Sequence, residues 1–176
     1  MAKVIIFGVQ DFASLAHYYL ENDSEHEIVA FSVTKKYMSS EKEFEGHPIV
    51  PFEDIEKFYP PRVYKMFIPM SHRKMNFSRK SIYEKSKKKG YQHISYISSK
   101  ATIFDNTVFG ENCFILENNT IQPFTKIGNN VVMWSGNHIG HDSVINDHCF
   151  IIHNDNIEQC FASIVPINWN WFFAML

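Results

Sequence analysis

The chain has 176 residues, 45% hydrophobic and 20% charged, an ordinary globular composition with room for one large domain or two small ones. A formal net charge of −2 excludes the basic balance expected of a nucleic-acid or anionic-membrane binder. Cys113, Cys149 and Cys160 show no CxxC spacing, which argues against a disulfide framework or zinc ribbon and for a reducing cytoplasm.

The chain opens on Met1-Ala2-Lys3 and a run too brief for a signal peptide, and no apolar stretch reaches the roughly 18 residues of a membrane span. Val4-Ile5-Ile6-Phe7, closed by Gly8, reads as a buried parallel strand. Asp11 can cap a helix carrying Phe12, Leu15, Ala16, Tyr19 and Leu20 on one face. Residues Ile28 to Val33 form a second strand, Pro48-Ile49-Val50 a short third, and Phe52 to Phe58 a helix. A further strand covers Tyr64 to Ile68, and a basic helix runs from about Met75 to Lys89. This alternation predicts a small Rossmann-like parallel sheet over residues 1–94. A strand, a glycine and a helix N-terminus can hold phosphate, but Gln10 and Ala13 stand where a GxGxxG fingerprint wants glycines. The lysines from Lys85 to Lys89 read as a solvated helix end beside Gly90. Sixteen phenylalanines suit a thin, elongated core that needs large side chains.

From Ile97 onward the period changes to six. Ile97, Ile103, Phe109, Ile115, Ile121, Ile127, Met133, Ile139, Ile145 and Ile151 are all apolar. At 45% apolar composition this register arises by chance about 3 times in 10,000. Two residues before each stands a mostly compact residue, from Ser95 and Ala101 through Asn119, Thr125 and Asn137 to Cys149. Gly110, Gly128 and Gly140 follow the column, where a corner needs a residue without Cβ. One short strand plus one turn, three to a coil, predicts a parallel β-helix over residues 95–151. An amphipathic helix would need a period near 3.6, and a sandwich would show alternation by two.

Ile121-Gln122-Pro123-Phe124 and the stretch Met133 to Ile145, with Trp134-Ser135-Gly136-Asn137-His138-Ile139-Gly140-His141, resemble the sialic-acid O-acetyltransferase-like sugar O-/N-acyltransferases of the hexapeptide-repeat superfamily. Ile6-Phe7-Gly8 with Asp11-Phe12-Ala13 looks like the start of the nucleotide-sugar-binding domain that precedes the coils there. The resemblance implies a left-handed β-helix and a homotrimer. It also implies acetyl-CoA as acyl donor and a sugar or nucleotide-sugar acceptor, meeting between subunits. It maps the catalytic base onto His141, with Asp142 as orienting acid, and makes Gly8, Asp11, Asn137 and His138 candidates for acceptor binding. Acyl transfer to an amine or hydroxyl needs a base, and imidazole as a class exchanges protons near neutral pH. Trp134 and Asn137 also suit packing and turn roles, and the cysteines read as inert core residues.

No metal site is expected in this reading. The alternatives are a catalytically inactive sugar-nucleotide-binding or assembly remnant, and a zinc-dependent β-helix enzyme using His138, His141, His148 or His153. Residues 152–176 lose the repeat, contain no glycine and carry Trp169-Asn170-Trp171-Phe172-Phe173. The expectation is a truncated or frameshifted ending, the alternative an apolar cap. Asn146 replaces an expected corner glycine, and Ile68-Pro69-Met70-Ser71-His72 lacks the glycine common in the family.

Overall fold

The computed structural model describes residues 1–72, 74–152 and 165–166. The first half is built on β1 (Lys3–Phe7), α1 (Asp11–Asn22), β2 (Glu27–Val33), β3 (Glu43–Phe44), β4 (His47–Pro51), α2 (Ile55–Phe58), β5 (Tyr64–Phe67) and α3 (Phe77–Lys88). Strand order is β3-β4-β2-β1-β5, with β3 antiparallel and all other pairs parallel. β1 is central, and Val4, Ile5 and Ile6 are fully buried, as a continuous apolar run demands of a strand covered on both faces.

Three local expectations shift. Asp11 is the first helical residue rather than the cap; Gln10 holds the N-cap position and its side chain makes no capping bond. The third helix starts at Phe77, after Lys74, Met75 and Asn76 take positive φ values that end any earlier helical turn. The lysines at its end are partly engaged: Lys87 reaches the Glu111 carboxylate and Lys89 Nζ lies 2.6 Å from Glu56 Oε2.

The chain leaves the sheet by adding residues 92–94 along the edge of β5, with Met66 bridging His93. It then enters ten short strands: β6 (Tyr96–Ile97), β7 (Thr102–Ile103), β8 (Val108–Phe109), β9 (Phe114–Ile115), β10 (Thr120–Ile121), β11 (Lys126–Ile127), β12 (Val132–Met133), β13 (His138–Ile139), β14 (Ser143–Ile145) and β15 (Phe150–Ile151). Each ends on, or for β14 and β15 includes as its last residue, a member of the period-six column. They stack as three parallel sheets, β6-β9-β12-β15, β7-β10-β13 and β8-β11-β14, in which each residue pairs with the one 18 positions on, such as Thr120 with His138. Val165–Pro166 (β16) pairs antiparallel with β14. The expectations about the rest of the tail lie outside the described residues.

Ile115, Ile121, Ile127, Met133, Ile139 and Ile145 fill the centre of the coils with Cys113, Val131 and Cys149. The compact inward residues do more than fit. Thr125 Oγ1 donates to the carbonyls of Gln122 (2.8 Å) and Gly140 (3.2 Å). Asn119 Nδ2 does the same for Leu116 and Trp134, both at 2.8 Å, and Cys113 Sγ lies 3.1 Å from the Gly128 carbonyl. At the corners the ladder cannot reach these oxygens, so small donors inside the coil satisfy them.

The corner glycines are needed for a different reason from the one expected. None of Gly110, Gly128 and Gly140 has a positive φ. The left-handed turn falls three residues before each strand's inward column residue, at Asn106, Asn112, Asn118, Phe124, Asn130, Gly136, Asp142 and His148, a register of six rich in Asn, Asp and Gly. Gly110 and Gly128 instead permit close stacking: a Cβ on Gly128 would lie 2.7 Å from Asp147 N and 2.8 Å from Asn146 C.

One face of the coils docks on the sheet. Its outward residues Tyr96, Phe114, Val132 and Phe150 are buried with Val4, Ile6, Phe31 and Phe67 and with α1. Phenylalanine thus serves this junction more than the interior of the coils, which is aliphatic. Polar clamps flank it. Asp23 Oδ2 accepts from Tyr96 OH (2.7 Å) and Ser99 N (2.9 Å), and Tyr19 OH donates to Glu117 Oε2 (2.6 Å). On the other side Ile68 N donates to Asn112 Oδ1 at 2.8 Å, while Arg79, fully buried, donates to the carbonyls of His148 and Cys149.

Candidate active site

His141 and Asp142 occupy the corner between β13 and β14. The corner is held from below by the preceding coil: His141 N donates to Gln122 Oε1 (2.9 Å) and Asp142 N to the Pro123 carbonyl (3.1 Å). Asp142 takes the left-handed conformation (φ 57°), which an aspartate tolerates better than most residues. That turn brings its Oδ2 to 2.8 Å from His141 Nδ1, with both side chains well exposed. With the Asp142 carboxylate as acceptor, Nδ1 is the donor of this contact and Nε2 is left for a partner outside it. Among the described residues nothing lies within 4 Å of where a Cβ on Gly140 would point.

The other candidates divide. His138 is exposed on β13, three residues before His141, and faces outward beside Thr120. Asn137 is buried (6% exposed), and both its side-chain donor hydrogens are committed, to Asn119 Oδ1 (3.0 Å) and the Trp134 carbonyl (2.7 Å). Gly8 follows β1 with φ 121°, and its N–H donates to the Ser32 carbonyl at 2.8 Å. Asp11 lines an open cleft with Val9, Gln10, Ser14, Phe44 and Glu45, outside the carboxyl end of β1. β5 lies on the opposite side of β1 from β2, so this cleft sits near the point where strand order reverses. Among the described residues no hydrogen bond or ion pair links the Gly8–Asp11 turn to His141.

Sequence reasoning missed Gln122, Pro123 and Phe124 as the support of His141. Their signal was the coil length, since each stands 18 positions before Gly140, His141 and Asp142 respectively. Phe124 is in the left-handed conformation (φ 63°) and 57% exposed, a costly combination for an aromatic residue. Of the histidines in the zinc alternative, His148 packs against Tyr83 with Nδ1 2.8 Å from Asn130 Nδ2, and His153 lies outside the described residues. Cys113 and Cys149 are buried free thiols, and burial pushes the Cys113 thiol up to about 11.

No curated protein matches the sequence. The bacterial transferase hexapeptide (six repeats) matches residues 106–141. Among solved structures the fold is similar to a histidine-to-asparagine variant of perosamine N-acetyltransferase from Caulobacter crescentus in complex with CoA and GDP-perosamine. The TM-score is 0.70 at 16% identity, over 85% of this chain and 68% of that one. It is also similar to the acetyltransferase domain of PglB from Neisseria gonorrhoeae FA1090 in complex with acetyl coenzyme A (0.67, 12%, 84% and 69%). WeeI from Acinetobacter baumannii AYE matches with a TM-score of 0.67 at 19% identity, over 85% and 69% of the two chains. Residues 106–141 thus match the bacterial transferase hexapeptide, and the chain's fold is similar to that of the perosamine N-acetyltransferase and the PglB acetyltransferase domain.

Proposed function

We propose that this chain transfers an acetyl group from acetyl-CoA to a hydroxyl or amino group of a sugar or nucleotide-linked sugar, in the assembly of surface polysaccharide. The observation that carries the reading is the His141–Asp142 pair at 2.8 Å on an open coil corner, within transferase hexapeptide repeats. His141 Nε2 takes the acceptor proton as the acceptor oxygen or nitrogen attacks the acyl carbon. Asp142 holds the proton on Nδ1 and stabilises the imidazolium that forms. His141 then returns the proton to the departing sulfur. Acetyl-CoA supplies the activated acyl group, and among the described residues nothing crowds the flank beside Gly140.

Residues 1–94 form, in this reading, a Rossmann-like nucleotide-sugar-binding domain, residues 95–151 a left-handed β-helix of about three coils and residues 152–176 an atypical tail. Gly8 and Asp11 contribute to the acceptor cleft. Asp11 and Glu45 make that cleft acidic, which suits sugar or ribose hydroxyls better than a diphosphate. His138 lines the acceptor side of the corner, and Asn137 acts through the coil that fixes it. The active assembly is a homotrimer in the cytoplasm. Among the described residues no helix is long and apolar enough to cross a membrane.

Release of CoA thiol is followed with a panel of amino and hydroxyl sugars and their nucleotide derivatives. His141→Ala is expected to lower kcat by roughly 10²–10⁴-fold, and Asp142→Asn by less. Equal activity in His141→Ala removes it as base. Acetyl-CoA binding without turnover on every acceptor favours the non-catalytic remnant.

A further inference from the structure

His17, Glu21 and His47 meet between α1 and the β3–β4 hairpin at the edge of the sheet. His17 and Glu21 are one turn apart on α1 and therefore share a face. His47 is the first residue of β4, delivered by the β3–β4 hairpin. Glu21 Oε1 lies 3.3 Å from His17 Nε2 and 4.0 Å from His47 Nε2, and all three ligand atoms fall within 4.8 Å of one another. The imidazole rings stand 5.3 Å apart, centre to centre. His17 is only 9% exposed and packs on Phe31, yet its buried Nε2 has no hydrogen-bond partner.

An orphaned buried nitrogen is costly, and two imidazoles with one carboxylate are the donor set of a zinc-type site. Bonds of about 2.0–2.2 Å in a tetrahedron put ligand atoms roughly 3.3 Å apart. One of the contacts already has that spacing, and the 4.0 Å contact reaches it by side-chain rotation at the rim, where Glu21 and His47 are partly exposed. Nitrogen donors disfavour magnesium and calcium, which take oxygen.

We propose that His17, Glu21 and His47 bind one zinc-type divalent ion that staples the β3–β4 hairpin to α1. The fourth position faces solvent on the Glu21 side. Ser14 Oγ donates to Glu45 across the same seam, so the ion also stiffens one wall of the Asp11 cleft. This inference does not rest on acetyl transfer, and none of its three ligands is a residue proposed for that reaction.

The test uses untagged full-length protein stripped with chelator. Zn²⁺ is titrated by calorimetry, and Co²⁺ is added separately to look for the visible bands of a tetrahedral ion. The expected result is one equivalent bound, uncompeted by excess Mg²⁺, with affinity reduced roughly 100-fold or more in His47→Gln and in Glu21→Gln. These two are the exposed ligands, so both variants should keep wild-type unfolding curves in chelator. Absence of binding below millimolar Zn²⁺, or binding undiminished in both variants, overturns the proposal.

Discussion

Replacing Gly128 by alanine separates two reasons for a corner glycine. If the corner demanded a left-handed backbone, alanine would be costly at Gly110, Gly128 and Gly140 alike. None of the three has a positive φ, so the cost must come from contact alone. At Gly128 the new Cβ would meet Asp147 Oδ1 at 2.5 Å, Asp147 N at 2.7 Å and Asn146 C at 2.8 Å. The first is the end of a side chain and can move; the other two are backbone of the next coil. Separating the coils there strains the stacking of β11 on β14, whose Lys126–Val144 and Ile127–Ile145 pairs lie immediately before these residues. Overpacking of this kind costs about 1–3 kcal/mol. For a chain of this length that lowers Tm by roughly 3–10 °C. Among the described residues Gly140→Ala meets nothing within 4 Å. It should be neutral, or stabilising by about 0.4–1 kcal/mol through a less flexible unfolded chain. The assay is thermal and urea unfolding of both variants beside wild type. Equal destabilisation of the two would refute the crowding argument and restore the conformational one.

Two further outcomes follow from buried polar groups. His93 has a fully buried side chain, and burial lowers its imidazole from 6.5 to about 4, so it is neutral at pH 7 and its 3.6 Å approach to Glu111 is not an ion pair there. Unfolded chains take up this proton near pH 6.5 and the folded one resists until about 4, so stability falls as pH drops through that window, by about 3 kcal/mol. Urea unfolding from pH 7 to 4 should show this slope in wild type and a shallower one in His93→Gln; parallel slopes would sink the assignment. Asn119 uses all four hydrogen-bonding positions, donating to the Leu116 and Trp134 carbonyls and accepting from Asn137 N and Nδ2. Asn119→Ala should therefore cost about 2–4 kcal/mol by the same assay, and a loss under about 1 kcal/mol would show that water replaces the side chain.

The central column was legible because one buried aliphatic per strand is the least negotiable feature of a coil. The left-handed corners were equally legible. Asn106, Asn112, Asn118 and Asn130 lie in register with Gly136 and Asp142, but the glycines one step after the column drew attention first. Phe124 and His148 share that conformation, and no propensity would have placed them there. The docked face was also written in the chain, at a period of 18. Tyr96, Phe114, Val132 and Phe150 are apolar or aromatic where the other two faces present Thr102, Thr120 and His138, or Val108, Lys126 and Val144. Arg79 on the His148 and Cys149 carbonyls was not legible, because nothing local marks a lysine-rich helix as the carrier of one buried guanidinium. Nor was the meeting of His17 with His47, which depends on where β4 settles beside β2.

The three corners of the coil are not equivalent, and that bears on where a transferase site could stand. The corner carrying Ser98, Ser99, Glu117 and Ser135 is tied to α1 through Asp23 and Tyr19. The corner carrying Glu111, Asn112 and His148 is tied to β5 and α3 through Ile68, Tyr83 and Arg79. Both border the docked face. The third corner, with Gln122, Pro123, Phe124, His141 and Asp142, lies between the two undocked faces. Among the described residues no hydrogen bond, ion pair or ring contact joins it to the sheet or its helices. His141 is therefore borne on the one corner that the chain's own N-terminal half does not cover, flanked by Phe104 at 46% and Phe124 at 57% exposure. Exposed aromatics beside an exposed imidazole are costly in an isolated coil. They are explained if, as the proposed trimer requires, another copy closes over this corner. If His141 and Asp142 are the proposed base and orienting carboxylate, they stand on a corner the N-terminal half leaves uncovered, and a neighbouring subunit of the proposed trimer would complete the pocket.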